Sequence, residues 1–431
     1  MDPVMIFVLM LAAFACLLLA GTPVFASLGV SSMLAMVLHG GISGLNAIPS
    51  ILHRGITSYS LVCIPLFILM GEVMARTSIG TRLYNMFYLW LNRLPGGLGI
   101  ASIGSSAVFG AMSGVSVAGA ATIGQVAIPE MQKRGYKPAL AGGTVAAAGS
   151  LALLIPPSIG FVLYGEIADE SIGKLFTAAI MPGLLLTALM MLYFALVVWL
   201  HPQHAPLDKT KIAWAARWRA LLDVGPPLVI IFLVLGTIYL GIATPTEAAG
   251  VGALGAFIVA SFYRELTWTM VVQIFRSTVV TSGMILLILA AALLFGFIMT
   301  RLMIPQMLIS WITSLNQPAW LILFWVLIFL VVVGMFLDIA SLILIATPVI
   351  LPVIVALGYS PIWFGVILII TCEMAVITPP VGLNLYVIKG IAPDMSLSEI
   401  IRGALPFVGV QALAITILIA FPEIALWLPG L

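Results

Sequence analysis

Apolar positions in this chain gather into long unbroken runs, without strand-like alternation or a one-sided helical stripe. The runs fall at about 4–20, 23–38, 60–75, 138–168 and 173–200, and again at about 225–242, 246–263, 281–300, 361–387 and 397–428. An α-helix rises about 1.5 Å per residue, so runs of roughly 16 residues or more reach across most or all of a hydrocarbon layer roughly 30 Å thick. Each run therefore predicts a membrane-spanning helix. Two mixed stretches near 45–57 and 79–93 carry His53, Arg54, Arg82 and Arg93 and predict short helices lying along the interface. Two other segments are neither plain spans nor polar loops. Gly96 to Arg134 is rich in Gly, Ala and Ser, with Gly110-Ala111-Met112-Ser113-Gly114-Val115-Ser116 at its centre, and Pro318 to Leu357 holds the corresponding place further on. Each is expected to form a re-entrant hairpin, two half-length helices entering and leaving on one face.

The pattern is written twice. Pro95, Pro129, Pro156 and Pro157 recur as Pro318, Pro352, Pro379 and Pro380, each displaced by 223 positions (318 − 95 = 223). Gly21-Thr22-Pro23 is answered by Ala243-Thr244-Pro245, and Pro156-Pro157-Ser158-Ile159-Gly160 by Pro379-Pro380-Val381-Gly382. A fixed offset of this kind is the mark of an internal repeat. The chain divides into homologous halves, 1–222 and 223–431. Each holds a hairpin (about 96–134 and 318–357) and a proline-broken helix (about 138–168 and 361–387). Five crossings per half is an odd number, so the second half is expected to enter the bilayer inverted.

Composition removes any soluble alternative. Hydrophobic residues make up 63% of the 431 positions and charged residues 7%, where soluble domains carry roughly 25% charged residues. The basic residues then test the orientation. With the N-terminus outside, only Arg54, Lys174 and Arg301 of the 17 Lys and Arg fall outside, and the rest, Lys209 among them, are cytoplasmic. That is the positive-inside bias. Both termini are placed on the outer face. Val4 to Ala20 follows Asp2 without a basic flank, which reads as a first spanning helix rather than a cleaved signal. Cys16, Cys63 and Cys372 lie in apolar runs and suggest neither disulfides nor a metal site. No His-Glu-x-x-His, Gly-x-Ser-x-Gly or phosphate-binding Gly-x-x-x-x-Gly-Lys-Ser/Thr pattern occurs, so neither an enzyme nor an ATP-driven pump is expected.

The chemistry is expected where regular backbone fails at membrane depth, because such places persist only when buried in protein or lining a cavity. Pro156 and Pro157 withhold two N–H donors from the carbonyls of Ala152 and Leu153, and Pro379 and Pro380 withhold two from Ala375 and Val376. Freed carbonyls suit a hard cation, and the helix starts beyond each break offer N–H groups to a carboxylate. The alternative is a pair of kinks needed only for packing. Ser113 and Ser116 flank the first hairpin tip. Asp338 falls in the second tip, at Met335 to Ser341, as a cation ligand or a helix cap; an acid at this depth is costly enough to suggest a function. Thr378 and Asn384 stand beside the second proline pair, and Glu373 lies one turn before it. Glu72, Glu247 and the four His lie near helix ends and suggest interface.

Three stretches resemble the large permease subunit of tripartite ATP-independent periplasmic (TRAP) transporters. They are Met112-Ser113-Gly114-Val115-Ser116-Val117-Ala118 with Ile128-Pro129-Glu130-Met131, Ala146-Ala147-Ala148-Gly149-Ser150 with Ile155-Pro156-Pro157-Ser158, and Ile377-Thr378-Pro379-Pro380-Val381-Gly382-Leu383-Asn384. The resemblance covers essentially the whole chain. It implies an all-α fold of the ion-transporter superfamily, with two inverted-topology repeats working as a sodium-coupled elevator in a bacterial inner membrane. It further implies a small four-helix membrane subunit, a periplasmic solute-binding protein and a small organic-acid substrate. Sodium would lie at Ser113, Ala152, Ile155 and Pro157 in one half and, by repeat symmetry, at Asp338, Ala375, Thr378 and Pro380 in the other. Substrate contacts are expected at Ser116, Ser150, Ser158 and Asn384. The nearest alternative is a stand-alone sodium/dicarboxylate symporter of the same superfamily.

Overall fold

The structure is a computed structural model describing residues 2–206 and 210–430; Lys209 of the basic set lies outside the described residues. The described residues form helices and connecting turns, with no strand among them. The first half contains α1 Pro3–Leu19, α2 Val24–Gly40, α3 Ile48–Ile56, α4 Cys63–Arg76, α5 Ile79–Leu91, α6 Gly97–Ser113, α7 Ser116–Lys133, α8 Pro138–Gly149, α9 Leu151–Leu154, α10 Ile159–Ala168 and α11 Ile172–Leu200. The second contains α12 Trp214–Tyr239, α13 Pro245–Phe262, α14 Trp268–Arg301, α15 Ile304–Ser314, α16 Ala319–Gly334, α17 Ile339–Ala356, α18 Pro361–Ala375, α19 Leu383–Ile391, α20 Leu397–Ala420 and α21 Glu423–Leu426. Seven helices among the described residues are long and apolar enough to cross a membrane, or eight with the bent pair Pro138–Leu154 and Ile159–Ala168. The protein is an all-helical, multi-pass membrane protein.

Helix starts keep the register of the proline repeat. Helix α7 begins at 116 and α17 at 339, and α8 begins at 138 and α18 at 361, each pair 223 apart (339 − 116 = 361 − 138 = 223). Two elements are longer than their hydrophobic runs suggest. Helix α12 starts at Trp214, so the 222/223 division falls inside it, and α14 starts at Trp268 rather than near 281. Both extensions continue the helix through polar positions, because nothing there breaks it. Thr267 caps α14 by accepting from Met270 N at 3.2 Å, and Arg217 on the added turns of α12 donates to Leu89 O at 3.0 Å.

The helices pack as two bodies. Helices α1, α2, α4, α12, α13 and α14 pack on one another, α3 joins through α14, and α5 bridges from α12 to α6 of the first hairpin. The other body consists of the hairpins, the broken helices, α11 and α20. Within it the halves exchange partners. Helix α7 of the first hairpin packs on α19 of the second half, and α17 of the second hairpin packs on α10 of the first. Small residues make the closest approaches possible. A Cβ on Gly403 of α20 would collide with the backbone of Ala139 on α8, and one on Gly110 would collide with Ala152. The two bodies meet where α14 packs on α17 and α5 on α6, and at the first hairpin tip, where a Cβ on Gly71 of α4 would lie 2.7 Å from Ser113 O. Helix α6 is buried on nearly every side, whereas α16 exposes Trp320, Phe324, Trp325 and Phe329, as a lipid-facing helix must.

Candidate substrate and cation site

The first hairpin turns over two residues. Gly114 ends α6 in the left-handed region (φ 60°), where a glycine carries no side-chain penalty, and its N–H closes on Gly110 O at 2.8 Å. Val115 is extended and leads into α7, whose first turn has no side-chain cap. The N–H groups of that turn therefore remain available. This tip lies against the first break. A Cβ on Gly114 would stand 3.0 Å from Pro157 O and 3.6 Å from Ser158 Cα.

At the first break the proline argument holds atom by atom. The Pro156–Pro157 peptide is cis, the chain bends by 44°, and Ile155 N–H turns back to Leu151 O at 3.0 Å. The carbonyls of Ala152 and Leu153 accept no hydrogen bond among the described residues. Ser158, extended ahead of α10, does not cap that helix. The hydroxyls of Ser113 and Ser158 are both buried, at 1% and 0% exposure, and neither has a partner. A buried hydroxyl without a partner costs about 1–3 kcal/mol, so two of them beside bare carbonyls mark a place shaped for something to be bound. Of the first set of expected ligands, Pro157 lies against the tip through Gly114, next to Ser113 in the chain, and Ala152 lies against Gly110 one turn earlier in α6.

The second break is built differently. Its Pro379–Pro380 peptide is also cis, but both carbonyls behind the prolines are occupied. Thr378 N–H reaches Ala375 O at 3.1 Å, and Asn384 N–H reaches Val376 O at 3.2 Å. The cause is Gly382, whose left-handed backbone (φ 58°) folds the start of α19 back over the break. Each carbonyl keeps one free lone pair. Thr378 Oγ1 donates to Met374 O at 2.6 Å. Asp338 sits at the second tip as the N-cap of α17, accepting from Ser341 N at 3.1 Å and from the Ser341 hydroxyl. Gly334 of this tip lies against the break, with a Cβ there 2.7 Å from the methyl of Ala375. Pro380 is exposed where Pro157 is buried.

The expected substrate residues split into two adjoining groups. Asn384 Nδ2 donates to Ser116 Oγ at 3.0 Å and to Ala146 O at 3.2 Å, and Ser116 Oγ is 2.9 Å from Glu373 Oε2. Ser150 Oγ donates to Ala147 O at 2.6 Å and accepts from Gln411 Nε2 at 2.8 Å. Ser158 stands apart from both, with the first break. Gln411 was missed from the sequence, although a glutamine midway along the apolar run of α20 is itself a signal of a polar contact at depth. Three more oxygens face inward here without partners: Glu373 Oε1, Asn384 Oδ1 and Gln411 Oε1.

Two hairpins, two interrupted helices and bare oxygens at the first interruption are the build of an integral membrane transporter of the discontinuous-helix type. Residues 11–424 match the family described as tripartite ATP-independent periplasmic transporter, DctM component. The C4-dicarboxylate TRAP transporter large permease protein of Pseudomonas aeruginosa is 35% identical over 405 residues, covering 94% of each chain. The sialic acid TRAP transporter large permease protein of Vibrio cholerae is 31% identical, covering 96% of each. The chain belongs to the DctM family of TRAP transporter permeases. Among solved structures the YdaH transporter of Alcanivorax borkumensis superposes with a TM-score of 0.65 at 17% identity, covering 90% of this chain and 89% of that one. That likeness is one of fold.

Proposed function

We propose that this chain is the large permease subunit of a three-part uptake system that carries a small organic acid into the cell, driven by sodium. C4-dicarboxylates and sialic acid, the substrates named for two relatives, are both carboxylates. The observation that carries the sodium reading is the pairing of the unpartnered Ser113 and Ser158 hydroxyls with the bare Ala152 and Leu153 carbonyls. An oxygen-only cluster in a dry interior suits a hard cation. The second sodium falls to Asp338, Ala375, Thr378 and Pro380, using the carbonyl lone pairs left over at that break. The uncapped starts of α7 and α10 offer N–H groups to the substrate carboxylate. Ser116, Ser150, Ser158 and Asn384 are the polar contacts that orient it.

In this reading the halves are inverted repeats, and the body of hairpins and broken helices slides as an elevator against the body of α1–α4 and α12–α14. The chain sits in the bacterial inner membrane with both termini periplasmic. A small four-helix subunit steadies the static body, and a periplasmic solute-binding protein delivers the acid. Reconstituting the chain with the small subunit and supplying labelled organic acids tests all of this together. Uptake is expected only with an inward sodium gradient and the loaded binding protein. Equal uptake without sodium overturns the coupling, and uptake by the lone chain without a soluble partner identifies a stand-alone symporter instead.

A further inference from the structure

Gln411 is fully buried in α20, within the apolar run Val408-Gly409-Val410-Gln411-Ala412-Leu413-Ala414. A side-chain amide at this depth is costly unless it is bonded to something. Helix α20 packs along α8. Near the start of both helices the backbones touch: a Cβ on Gly403 would collide with Ala139, and one on Gly143 would collide with Gly403. Gln411 lies eight residues further along α20 (411 − 403 = 8), about 12 Å at about 1.5 Å per residue. There its Nε2 donates to Ser150 Oγ at 2.8 Å. Helix α8 is thus fastened to α20 at two separated points, one made of backbone and one of a single hydrogen bond.

The second fastening falls at a joint. Ser150 ends α8 and precedes the short α9, Leu151–Leu154. The bare carbonyls of Ala152 and Leu153 follow two and three residues later. On its other side α9 presses on the first hairpin. A Cβ on Gly110 of α6 would collide with Ala152, and one on Gly119 of α7 would stand 3.2 Å from the Ala152 methyl. The carbonyl-bearing turn is therefore seated between the hairpin and α20. Among the described residues Gln411 is the one side chain bonded to Ser150.

The hydrogens fix which end of the amide faces the joint. Ser150 Oγ and Ala147 O are 2.6 Å apart, and two oxygens so close need a hydrogen between them. Ser150 has only that one to give, so it can only accept from Gln411, and Nε2 is the atom that faces it. The amide oxygen then finds no donor among the described residues. A leucine of similar size would avoid that cost. What the glutamine supplies in return is the bond to the joint.

We propose that Gln411 is a positioning residue of the first cation site: its Nε2 pins the α8–α9 joint to α20 and so sets where the Ala152 and Leu153 carbonyls point. The inference rests on the sodium reading of that site and adds a residue that touches neither ion nor substrate.

Melting of the full chain in detergent without substrate tests it, with sodium chloride titrated against choline chloride at constant ionic strength. A ligand that binds the folded state raises the melting temperature, and weaker binding shifts the curve to higher concentration. The native melting temperature is expected to rise with sodium. Gln411→Leu is expected to need about fivefold more sodium for the same rise, the effect of one hydrogen bond inside a membrane protein. Ser150→Ala removes the acceptor and is expected to shift the curve by a similar factor. The double variant is expected to shift it no further than the larger single shift, because both changes remove one contact. A curve unmoved by Gln411→Leu, even with a lower melting temperature in choline, overturns the proposal and leaves Gln411 to packing. Additive shifts overturn it as well. A native protein that melts alike in sodium and choline brings down the sodium reading itself, and this inference with it.

Discussion

Gly114 and Pro157 stand so close that any side chain on the glycine would press on the proline's carbonyl, 3.0 Å from the first carbon added. The hairpin tip and the helix break are therefore one site. Gly114→Ala forces a Cβ into this gap and into a left-handed backbone that costs about 1 kcal/mol for alanine. Uptake is expected to fall at least about tenfold while the amount of inserted protein holds. Near-native uptake would mean that the tip and the break move independently.

The hydroxyls of Ser113 and Ser158 make no hydrogen bond among the described residues, so removing either breaks no contact seen in the fold. Ser113→Ala and Ser158→Ala are expected to leave the melting temperature in sodium-free buffer within about 1 °C of native and to raise the sodium concentration for half-maximal uptake about fivefold, a change near 1 kcal/mol. Destabilisation without sodium, with an unchanged sodium response, would assign the hydroxyls to packing.

Asp338 has a visible job as a cap and a proposed one at the second cation site, and two substitutions separate them. Asparagine caps a helix about as well as aspartate, whereas alanine costs roughly 1 kcal/mol. Asp338→Asn is expected to keep stability and weaken the sodium response, and Asp338→Ala to lose both. A full sodium response in Asp338→Asn would leave Asp338 as a cap alone.

Gly403 of α20 meets Ala139 of α8 backbone to backbone. Gly403→Ala has no flexible neighbour to displace, and overpacking of this kind costs about 1–3 kcal/mol. A drop of a few degrees in melting temperature is expected, measured on the protein in detergent. An unchanged value would show that α8 and α20 separate readily.

The hairpins and breaks were legible because their causes are local. A proline removes its own N–H whatever surrounds it, and Gly110 and Gly114 mark a close approach by lacking side chains. The repeat then doubled each signal, which is how Asp338 came to stand at the second tip with nothing else to mark it. What a break does with its freed carbonyls was not legible. At the first they stay bare, but at the second the left-handed Gly382 returns the chain so that Asn384 covers Val376, an outcome set by one backbone angle. Long-range partners were equally hidden. Glu373 and Ser116 are 257 positions apart and Gln411 and Ser150 are 261 apart, and no local pattern encodes such pairings. The early starts of α12 and α14 lie outside the hydrophobic runs because hydrophobicity bounds a span and not a helix, and the polar turns ahead of each run carry no helix breaker.

The exchange of α7 onto α19 and α17 onto α10 means that neither half of the chain owns a complete interior. Each supplies the surface that the other needs to close, like two hands with interlaced fingers. Alone, the first half would present α7 and α10 without α19 and α17, and the second would present the converse. A chain severed between α11 and α12 should therefore recover only when both pieces are made together, and a change in one half should be answered by compensating changes in the other.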